Sequence, residues 1–209
     1  MKEIERELGV SRSSVSLWVR DIDLTPEQLA ALLERNPAYE GQLKGSKANR
    51  EKARLRRRRY QLEGRRRARA PSALYVAGCM LFWAEGDKAR NSVRLANSDP
   101  EVIRLFARFL RECFGVTNEQ MCIYCHLFAD HVCRQREVEQ FWLDVAGLQS
   151  SSLRKSMVNC YSRSSQRKRT NRLPYGTCKL VVNSTEILQT IYGSIQEFAG
   201  FSRTEWLGC

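Results

Sequence analysis

The chain has 209 residues, 43% of them apolar, which is enough to bury the core of one ordinary domain beside a smaller module. No apolar run approaches the ~18 to 20 residues of a membrane span, and the first twenty residues are charged rather than signal-like. We therefore expect a soluble cytoplasmic protein. Its eight cysteines are then expected to be reduced and mostly buried, which argues against a disulfide-stapled secreted domain.

The formal net charge of +12 is concentrated in two stretches. Residues 44–69 hold 13 basic residues and only two acids, Glu51 and Glu63, and residues 154–172 hold seven basic residues and no acid. Charge this concentrated repels itself unless a polyanion lies against it, and a nucleic-acid backbone is the commonest such partner. A solvated surface helix would carry more acids four residues from its bases. We therefore expect nucleic-acid binding.

Residues 2–20 have the pattern of two short helices joined by a turn. The first helix is expected to place Ile4 and Leu8 inward. After the turn, Ser11 is the expected N-cap of a second helix that runs to Arg20.

The second helix divides into an apolar and a polar face. Val15, Trp18 and Val19 share the apolar face at i, i+3 and i+4 spacing. The polar face has the short hydroxyls and arginines that suit a helix entering the major groove. Its candidate DNA-contacting residues are Arg12, Ser13, Ser14, Ser16 and Arg20.

This stretch of about twenty residues resembles the resolvase-type helix-turn-helix, which implies sequence-specific DNA binding. Thr25-Pro26-Glu27 has the signals of a further helix start, and that helix is expected to help close the small core.

The basic residues that follow are expected to lie on a long, exposed helical tether. KGSKANREKARLRRRRYQLEGRRRARA has few breakers, an expected interruption at Gly64, and an end at Pro71-Ser72. The predicted organisation is a helix-turn-helix module at 1–36, the tether at 37–72 and an α+β domain at 73–209. The candidate phosphate contacts on the tether are Lys47, Arg50, Arg54, Arg56, Arg57, Arg58, Arg59, Arg65, Arg66 and Arg67.

From residue 74 helices and strands alternate. VRLANSDPEVIRLFARFLREC and KLVVNSTEILQTIYGSIQEF share strand, Asn-Ser cap and helix in the same register, so strand-helix units recur and the class is α+β. Helices are predicted at 74–86, 99–113, 132–146 and 185–198, and strands at 92–98, 121–128, 156–162 and 178–184.

Cys122, Cys125 and His126 superficially offer zinc ligands. However, MCIYCHLF has strand character, and residues three apart in a strand point to opposite faces. Core packing is therefore the preferred interpretation of these cysteines.

The helix at 74–86 has a small or apolar side and ends in a carboxylate, Glu85. Leu74, Ala77, Gly78, Leu81 and Ala84 would allow a second helix to pack closely against it. Two such helices would bring two Glu85 carboxylates together, and a divalent cation would relieve their repulsion.

Residues 78–86, GCMLFWAEG, resemble the motif of the LAGLIDADG homing endonucleases, and the resemblance extends over residues 74 to 200. It implies a saddle, with helices on a mixed, mainly antiparallel sheet, laid in the major groove. It also implies a two-helix interface between two copies, and Mg²⁺ held by the motif acids for phosphodiester hydrolysis. Three departures are evident: Met80 stands where glycine is usual, little chain separates Glu85 from the next strand, and the helix at 132–146 looks inserted.

Two alternatives supply the second metal-binding acid beside Glu85. One is Glu85 of a partner chain in a homodimer. The other is Asp144 in a pseudo-dimeric monomer, because the sequence FWLD echoes FWAE. Asp87 could lie beside the metal, and Lys88 and Lys155 are the candidate catalytic cations that shield developing charge.

The same resemblance points to strand side chains as base contacts and to the second basic stretch as phosphate contacts. Asn159 is one candidate base contact. The other candidate DNA-binding residues are Arg94, Arg154, Lys155, Arg163, Arg167, Lys168, Arg169, Arg172 and Lys179.

Two functions fit these features. The LAGLIDADG family also includes bacterial sporulation regulators that join a degenerate domain to a helix-turn-helix and bind DNA without cutting it. The preferred expectation is such a transcription-regulator-like protein, nucleoid-associated, specific for double-stranded DNA and needing no cofactor for binding. The alternative is a Mg²⁺-dependent site-specific DNA endonuclease that uses Glu85.

Overall fold

The computed structural model describes residues 2–35, 38–159 and 173–207 and has an α+β fold. Tertiary contacts divide the chain into two units, Met1–Glu51 and Lys52–Cys209. The second unit therefore begins well before the predicted boundary at residue 73. Of the helices in the described ranges, none is both long and apolar enough to cross a membrane.

The first unit contains three short helices and the start of a long one. Ser11 is the N-cap of the second helix, as predicted, and accepts a hydrogen bond from the Ser14 backbone N–H at 3.2 Å. Gly9 makes the preceding turn with φ 63°, a conformation that glycine adopts without strain. The helices are α1 (Lys2–Leu8), α2 (Arg12–Trp18), α3 (Pro26–Arg35) and α4 (Ala38–Arg67).

The inward face predicted for the first two helices is only partly correct. Val15 is fully buried, but Leu8 is 60% exposed and Trp18 is 57% exposed. Helix α2 also ends at Trp18, two residues before the predicted end. Such short helices bury little surface against each other, so periodicity alone overstated the core.

Helix α3 starts where the sequence predicts. Thr25 and Gln28 cap it reciprocally, because each side chain accepts a hydrogen bond from the other residue's backbone N–H, at 3.0 and 3.3 Å. No residue of α3 is fully buried, so the expected closing of a small core by this helix is not found.

Helix α4 runs without a break through Gly64, so the interruption expected there is wrong. The reason for this glycine is close packing against another helix, α8 (Thr185–Phe198). A Cβ on Gly64 would lie 2.0 Å from the carbonyl oxygen of Thr190, and a Cβ on Gly193 would lie 2.0 Å from that of Gln61. Each glycine thus lets the backbone of the other helix approach.

A buried polar network joins the same two helices. Gln61 donates to Gln189 at 2.7 Å and accepts from Gln196 at 3.1 Å, and the Ser194 hydroxyl donates to the Gly64 carbonyl at 2.9 Å. The last turns of α4 are therefore part of the second unit. The prediction of a fully exposed tether up to residue 72 is wrong for this part of the helix.

The second unit is built on a mixed four-stranded sheet with the order β1-β4-β2-β3. The pairs β1–β4 and β4–β2 are antiparallel, and β2–β3 is parallel. All four strands were predicted, and their described ends differ from the predicted ones by at most two residues. Residues 160–162 of the strand predicted at 156–162 lie outside the described residues. The strands are β1 (Val93–Asn97), β2 (Met121–Phe128), β3 (Met157–Asn159) and β4 (Thr177–Val182).

Four further helices belong to this unit, and their ends follow local chemistry. Ser72, Asp99 and Ser184 each accept a backbone hydrogen bond at a helix start, and Gly115 ends a helix with φ 64°. One predicted start is wrong, because residues 129–134 form a 3₁₀ helix before the third of these helices. The helices are α5 (Ala73–Glu85), α6 (Pro100–Phe114), α7 (Gln135–Ala146) and α8.

One face of the sheet is covered by helices and forms the core. Phe82 of α5 stacks on Phe106 of α6, and Tyr192 of α8 and Trp142 of α7 are also buried there. Cys125 of β2 and Cys178 of β4 are neighbours in strand register, and both are fully buried free thiols. The alternation predicted for β2 is confirmed. No group of three or more His, Cys, Asp or Glu residues in the described ranges could hold a metal ion.

Candidate nucleic-acid interface

The other face of the sheet is defined by strand register. Residues paired across antiparallel strands point to the same side, and successive residues alternate. Leu95, Leu180 and Ile123 pair on the buried face. Their neighbours therefore lie on the opposite side, here called the outer sheet face: Arg94, Ala96, Cys122, Tyr124, His126, Phe128, Met157, Asn159, Thr177, Lys179 and Val181.

Two basic residues predicted to contact DNA lie on the outer sheet face. Arg94 donates to the Ser92 hydroxyl at 2.7 Å, and Lys179 forms a 2.9 Å ion pair with Asp87. Asp87 itself is placed by its backbone N–H, which donates to the Arg94 carbonyl. This ion pair lowers the charge that Lys179 can offer a phosphate, so Arg94 is the less compensated of the two cations.

Polar residues that the sequence analysis did not select also occupy this face. Tyr124 is paired in register with Lys179, and His126 with Thr177. All four are half-buried. Alternation along MCIYCHLF predicts the side that each residue takes, but only the pairing shows that these side chains share the face with Arg94.

Glu85 is exposed at the end of α5, beside the start of the sheet. The Asn97 side-chain amide lies 3.5 Å from its carboxylate. Asp87, the nearest other acid in the chain, is engaged by Lys179. A Mg²⁺ ion usually takes carboxylates together with water, so one free acid per chain is an incomplete donor set. A second copy would have to supply the other acid.

Lys88 has a structural role at the same helix end. Its ammonium donates to the Trp83 and Gly86 carbonyls, both at 2.8 Å, and to Phe82 at 3.3 Å. The Trp83 carbonyl lies in the last turn of α5, where the helix supplies no internal partner, whereas the Phe82 carbonyl also accepts the Gly86 backbone N–H at 2.9 Å. Burial lowers the pKa of Lys88. The residue predicted to shield charge in catalysis therefore caps α5.

The proposed pairing of Glu85 with Asp144 in one chain is wrong. Helix α6 lies between the two, because it packs against both α5 and α7. Glu85 is near Asn97, just before α6 begins, whereas Arg111 near the end of α6 donates to the Ala146 carbonyl beside Asp144, at 2.6 Å. At 1.5 Å per residue, the twelve residues from Asp99 to Arg111 span about 18 Å of α6, and the two acids lie near opposite ends of that span.

Lys155 is also too far from Glu85 to act with it in one chain. It precedes β3, at the opposite edge of the sheet from β1. Three strand spacings amount to about 14 Å. Lys155 and its neighbour Arg154 are exposed there, so both remain available to a phosphate backbone.

Several arginines predicted to bind phosphate are used within the second unit instead. Arg57 donates to the Leu207 carbonyl at 2.9 Å. Arg65 pairs with Glu197 at 3.3 Å. Arg66 and Arg67 share Glu63, which lowers the pKa of that carboxyl to about 2, mainly through its hydrogen bonds with Arg66. Arg57, Arg65 and Arg67 tie the end of α4 to other parts of the second unit, because Arg67 also donates to the Cys113 carbonyl at 3.3 Å. Arg66 pairs with Glu63 within α4, and its side chain stays 74% exposed.

Other basic residues of α4 are exposed. Arg56, Arg58 and Arg59 have no carboxylate within 4 Å among the described residues, and Arg59 lies over the Tyr60 ring. Because the buried side of the same helix turns is held against α8, these three guanidinium groups project from a fixed element. Lys47, Arg50 and Arg54 lie earlier on α4 and are also exposed.

The predicted recognition helix α2 presents its polar face to solvent. Arg12, Ser13 and Ser16 are exposed, but the Ser13 and Ser14 hydroxyls hydrogen-bond to Ser11 at 2.8 and 2.9 Å. Arg20 forms an exposed ion pair with Asp21. Arg12 and Ser16 are therefore the side chains most available to a base.

Five predicted contacts lie outside the described residues: Arg163, Arg167, Lys168, Arg169 and Arg172. No family model, curated protein or solved structure matches the chain. The helices and strands define an α+β fold. The resemblance to the LAGLIDADG motif remains a prediction from residues 78–86 and the elements around them.

Proposed function

We propose that the chain is a sequence-specific, double-stranded DNA-binding protein of the transcription-regulator type. The observation that carries this proposal is the set of exposed guanidinium groups of Arg56, Arg58 and Arg59, spread around the solvent side of a helix that is packed into the second unit. The outer sheet face, with Arg94 and hydrogen-bonding side chains, supplies a second surface of the kind that a saddle lays in a groove.

The two units differ in charge, which assigns them different parts in binding. Residues 1–51 contain eight basic and nine acidic residues, so residues 52–209 hold all of the positive excess. Salt-dependent affinity for phosphates therefore belongs to the second unit. The first unit contributes sequence preference, through Arg12 and Ser16 of α2.

Affinity is tested by fluorescence anisotropy with a random duplex over a range of salt. Replacing Arg58 and Arg59 with glutamine should make the slope of log association constant against log salt concentration less negative by about 1.8, because each phosphate contact contributes about −0.9 to that slope. The matched control is Arg104→Gln with Arg108→Gln, which removes the same charge from arginines already paired with Glu101 and Glu112. Equal losses in the two double variants, or no duplex binding by the wild type at low salt, would refute the proposal.

Sequence preference is tested by selecting bound DNA from random duplexes. Arg12→Ala should change the selected sequence, whereas the Arg58 and Arg59 double variant should select the wild-type sequence with lower affinity. An unchanged selection by Arg12→Ala would remove α2 from the proposal.

A second candidate function is Mg²⁺-dependent DNA cleavage. It is favoured by the exposed carboxylate of Glu85 and by the exposed Ala77 and Ala84 on the outer side of α5, which leave room for a second copy. In that homodimer the two Glu85 carboxylates would hold the metal, which activates water for phosphodiester hydrolysis. Cleavage of the selected target by the wild type, lost in Glu85→Gln, would establish the nuclease. Tight binding with no nicking would eliminate it.

A further inference from the structure

The first unit exposes an unusual number of large apolar side chains for its size. Among its described residues only Val15 is a buried core residue, at 0% exposure. Seven other large apolar residues remain accessible, with exposures from 40% to 61%: Leu8, Leu17, Trp18, Ile22, Leu24, Leu29 and Leu43. Leu17 lies on the polar face of α2, four residues after Ser13, and Leu43 lies on α4, whereas the other five lie on α1, α2 or α3 or between α2 and α3.

A unit of this size needs a partner surface. Domains of fewer than about 70 to 80 residues rarely gain more than a few kcal/mol from a single core, and oligomerisation is one of the usual remedies. The caps of α2 and α3 are complete, so the helices are well specified locally. What the first unit lacks is a surface on which to bury its apolar residues.

The exposed area matches what a dimer requires. Scaled by their exposures, the five side chains present roughly 500 Å² per copy, so two copies would bury roughly 1,000 Å². That is about the lower limit for a specific interface.

Charge favours this unit over the rest of the chain as the site of self-association. Eight basic and nine acidic residues leave residues 1–51 nearly neutral, whereas the second unit carries all of the positive excess and repels its own copy. Two first units can therefore approach each other without an electrostatic cost.

We propose that the first unit is a homodimerisation module in which Leu8, Trp18, Ile22, Leu24 and Leu29 pack against the first unit of a second copy of this chain. The interface differs from the α5 contact through Ala77, and it does not depend on DNA binding. A two-fold arrangement of this kind would present two α2 helices to two half-sites.

The test is sedimentation velocity of the full chain without DNA, over about 1 to 100 µM. The wild type should dimerise, and Ile22→Glu with Leu29→Glu should raise the dimer dissociation constant at least ~10-fold. The matched control is Leu55→Glu with Leu62→Glu, which places the same charges on exposed leucines of α4 in the second unit and should leave the dimer intact. A third variant, Ala77→Arg, should also leave it intact.

A milder substitution guards against loss of folding. Trp18→Phe keeps an apolar ring, so its dimer should persist, and only the wild type should show a blue shift of tryptophan emission as the concentration rises. A monomeric wild type at 100 µM, an intact dimer in the Ile22 and Leu29 double variant, or dissociation caused by Ala77→Arg alone would overturn the proposal. A wild type that stays monomeric at 100 µM and still binds duplex DNA would refute this inference and leave the proposed function standing.

Discussion

Replacing Gly64 with alanine tests whether the end of α4 belongs to the folded second unit. A Cβ at this position would lie 2.0 Å from the Thr190 carbonyl oxygen and 3.0 Å from the Ser194 backbone nitrogen. Both contacts are with backbone, so no side-chain rotation can relieve them. Restoring a normal contact of about 3.4 Å requires α4 and α8 to separate by about 1.4 Å.

That separation has a calculable cost. It would stretch the 2.7 Å bond between Gln61 and Gln189 and the 2.9 Å bond from Ser194 to Gly64 beyond hydrogen-bond range. Two lost buried hydrogen bonds at about 1 kcal/mol each, with about 1 to 3 kcal/mol for overpacking, outweigh the ~1 kcal/mol that alanine gains in a helix. We expect a net loss of about 3 kcal/mol, or about 6 to 12 °C in Tm.

Urea and thermal unfolding followed by far-UV circular dichroism measure the loss. Gly193→Ala should behave alike, because its Cβ would meet the Gln61 carbonyl at 2.0 Å. Gly45→Ala is the control on the same helix: its Cβ meets nothing within 4 Å, so it should be neutral or stabilise by up to ~1 kcal/mol. If Gly64→Ala were as stable as Gly45→Ala, α4 would be the exposed tether that its composition suggests.

Three smaller predictions follow from the geometry of the second unit. Lys88→Met should lower the free energy of unfolding by about 1 to 2 kcal/mol, because the ammonium donates to three carbonyls at the end of α5. The loss is measured as a lower urea midpoint. A loss of DNA affinity without a loss of stability would contradict this structural role. Glu63→Gln should lower the free energy of unfolding by less than ~1 kcal/mol at pH 7, because the carboxylate is partly exposed. The pKa of Glu63 is depressed from 4.5 to about 2 in the folded state. The difference in unfolding free energy between wild type and variant should therefore shrink as the pH falls from 4.5 and be absent below 2. Burial raises the pKa values of Cys79 and Cys125 to about 12, so at pH 8 a thiol reagent followed by mass spectrometry should modify the exposed Cys133 and spare both until denaturant is added; labelling of either in the native protein would refute the burial.

The ends of the helices in the second unit were accessible to sequence reasoning because their chemistry is local. A side chain such as Ser72 or Ser184 accepts a backbone N–H within three residues of itself, whatever the rest of the chain does. Gly115 likewise adopts its positive φ for a local reason. Strand alternation is local too, which is why the burial of Cys125 and the opposite orientation of Cys122 followed from spacing.

The packing of α4 was not accessible in the same way. Its inward stripe consists of Ala53, Gln61, Gly64 and Ala68, which carry no apolar signal beside many arginines. The available clue is that these small or neutral residues recur at helical spacing. Whether such a stripe packs depends on Gly193 and Gln189, more than a hundred residues away, and no local rule connects them.

The resemblance between FWLD and FWAE misled for a similar reason. Trp142 is buried and donates to the Tyr175 carbonyl at 2.7 Å, whereas Trp83 is partly exposed beside Phe201. The two tryptophans at equivalent positions of these sequences therefore have different surroundings. Shared sequence predicts a shared role only when the burial of its residues also agrees, and here it does not.

The first unit is nearly neutral and the second is strongly positive, which suits the two units to different parts of the proposed DNA binding. A positively charged domain binds any duplex, so it needs another element to choose among sequences. Under the proposed function a nearly neutral first unit would add little non-specific affinity, so contacts by Arg12 should change the ratio between target and random DNA more than they change the total binding. If two such units pair through their exposed apolar residues, the selected site should be a repeat of two half-sites with fixed spacing. If the selected site is instead a single asymmetric sequence bound by one chain, pairing of the first units is refuted. The role of the positively charged second unit in affinity would still stand.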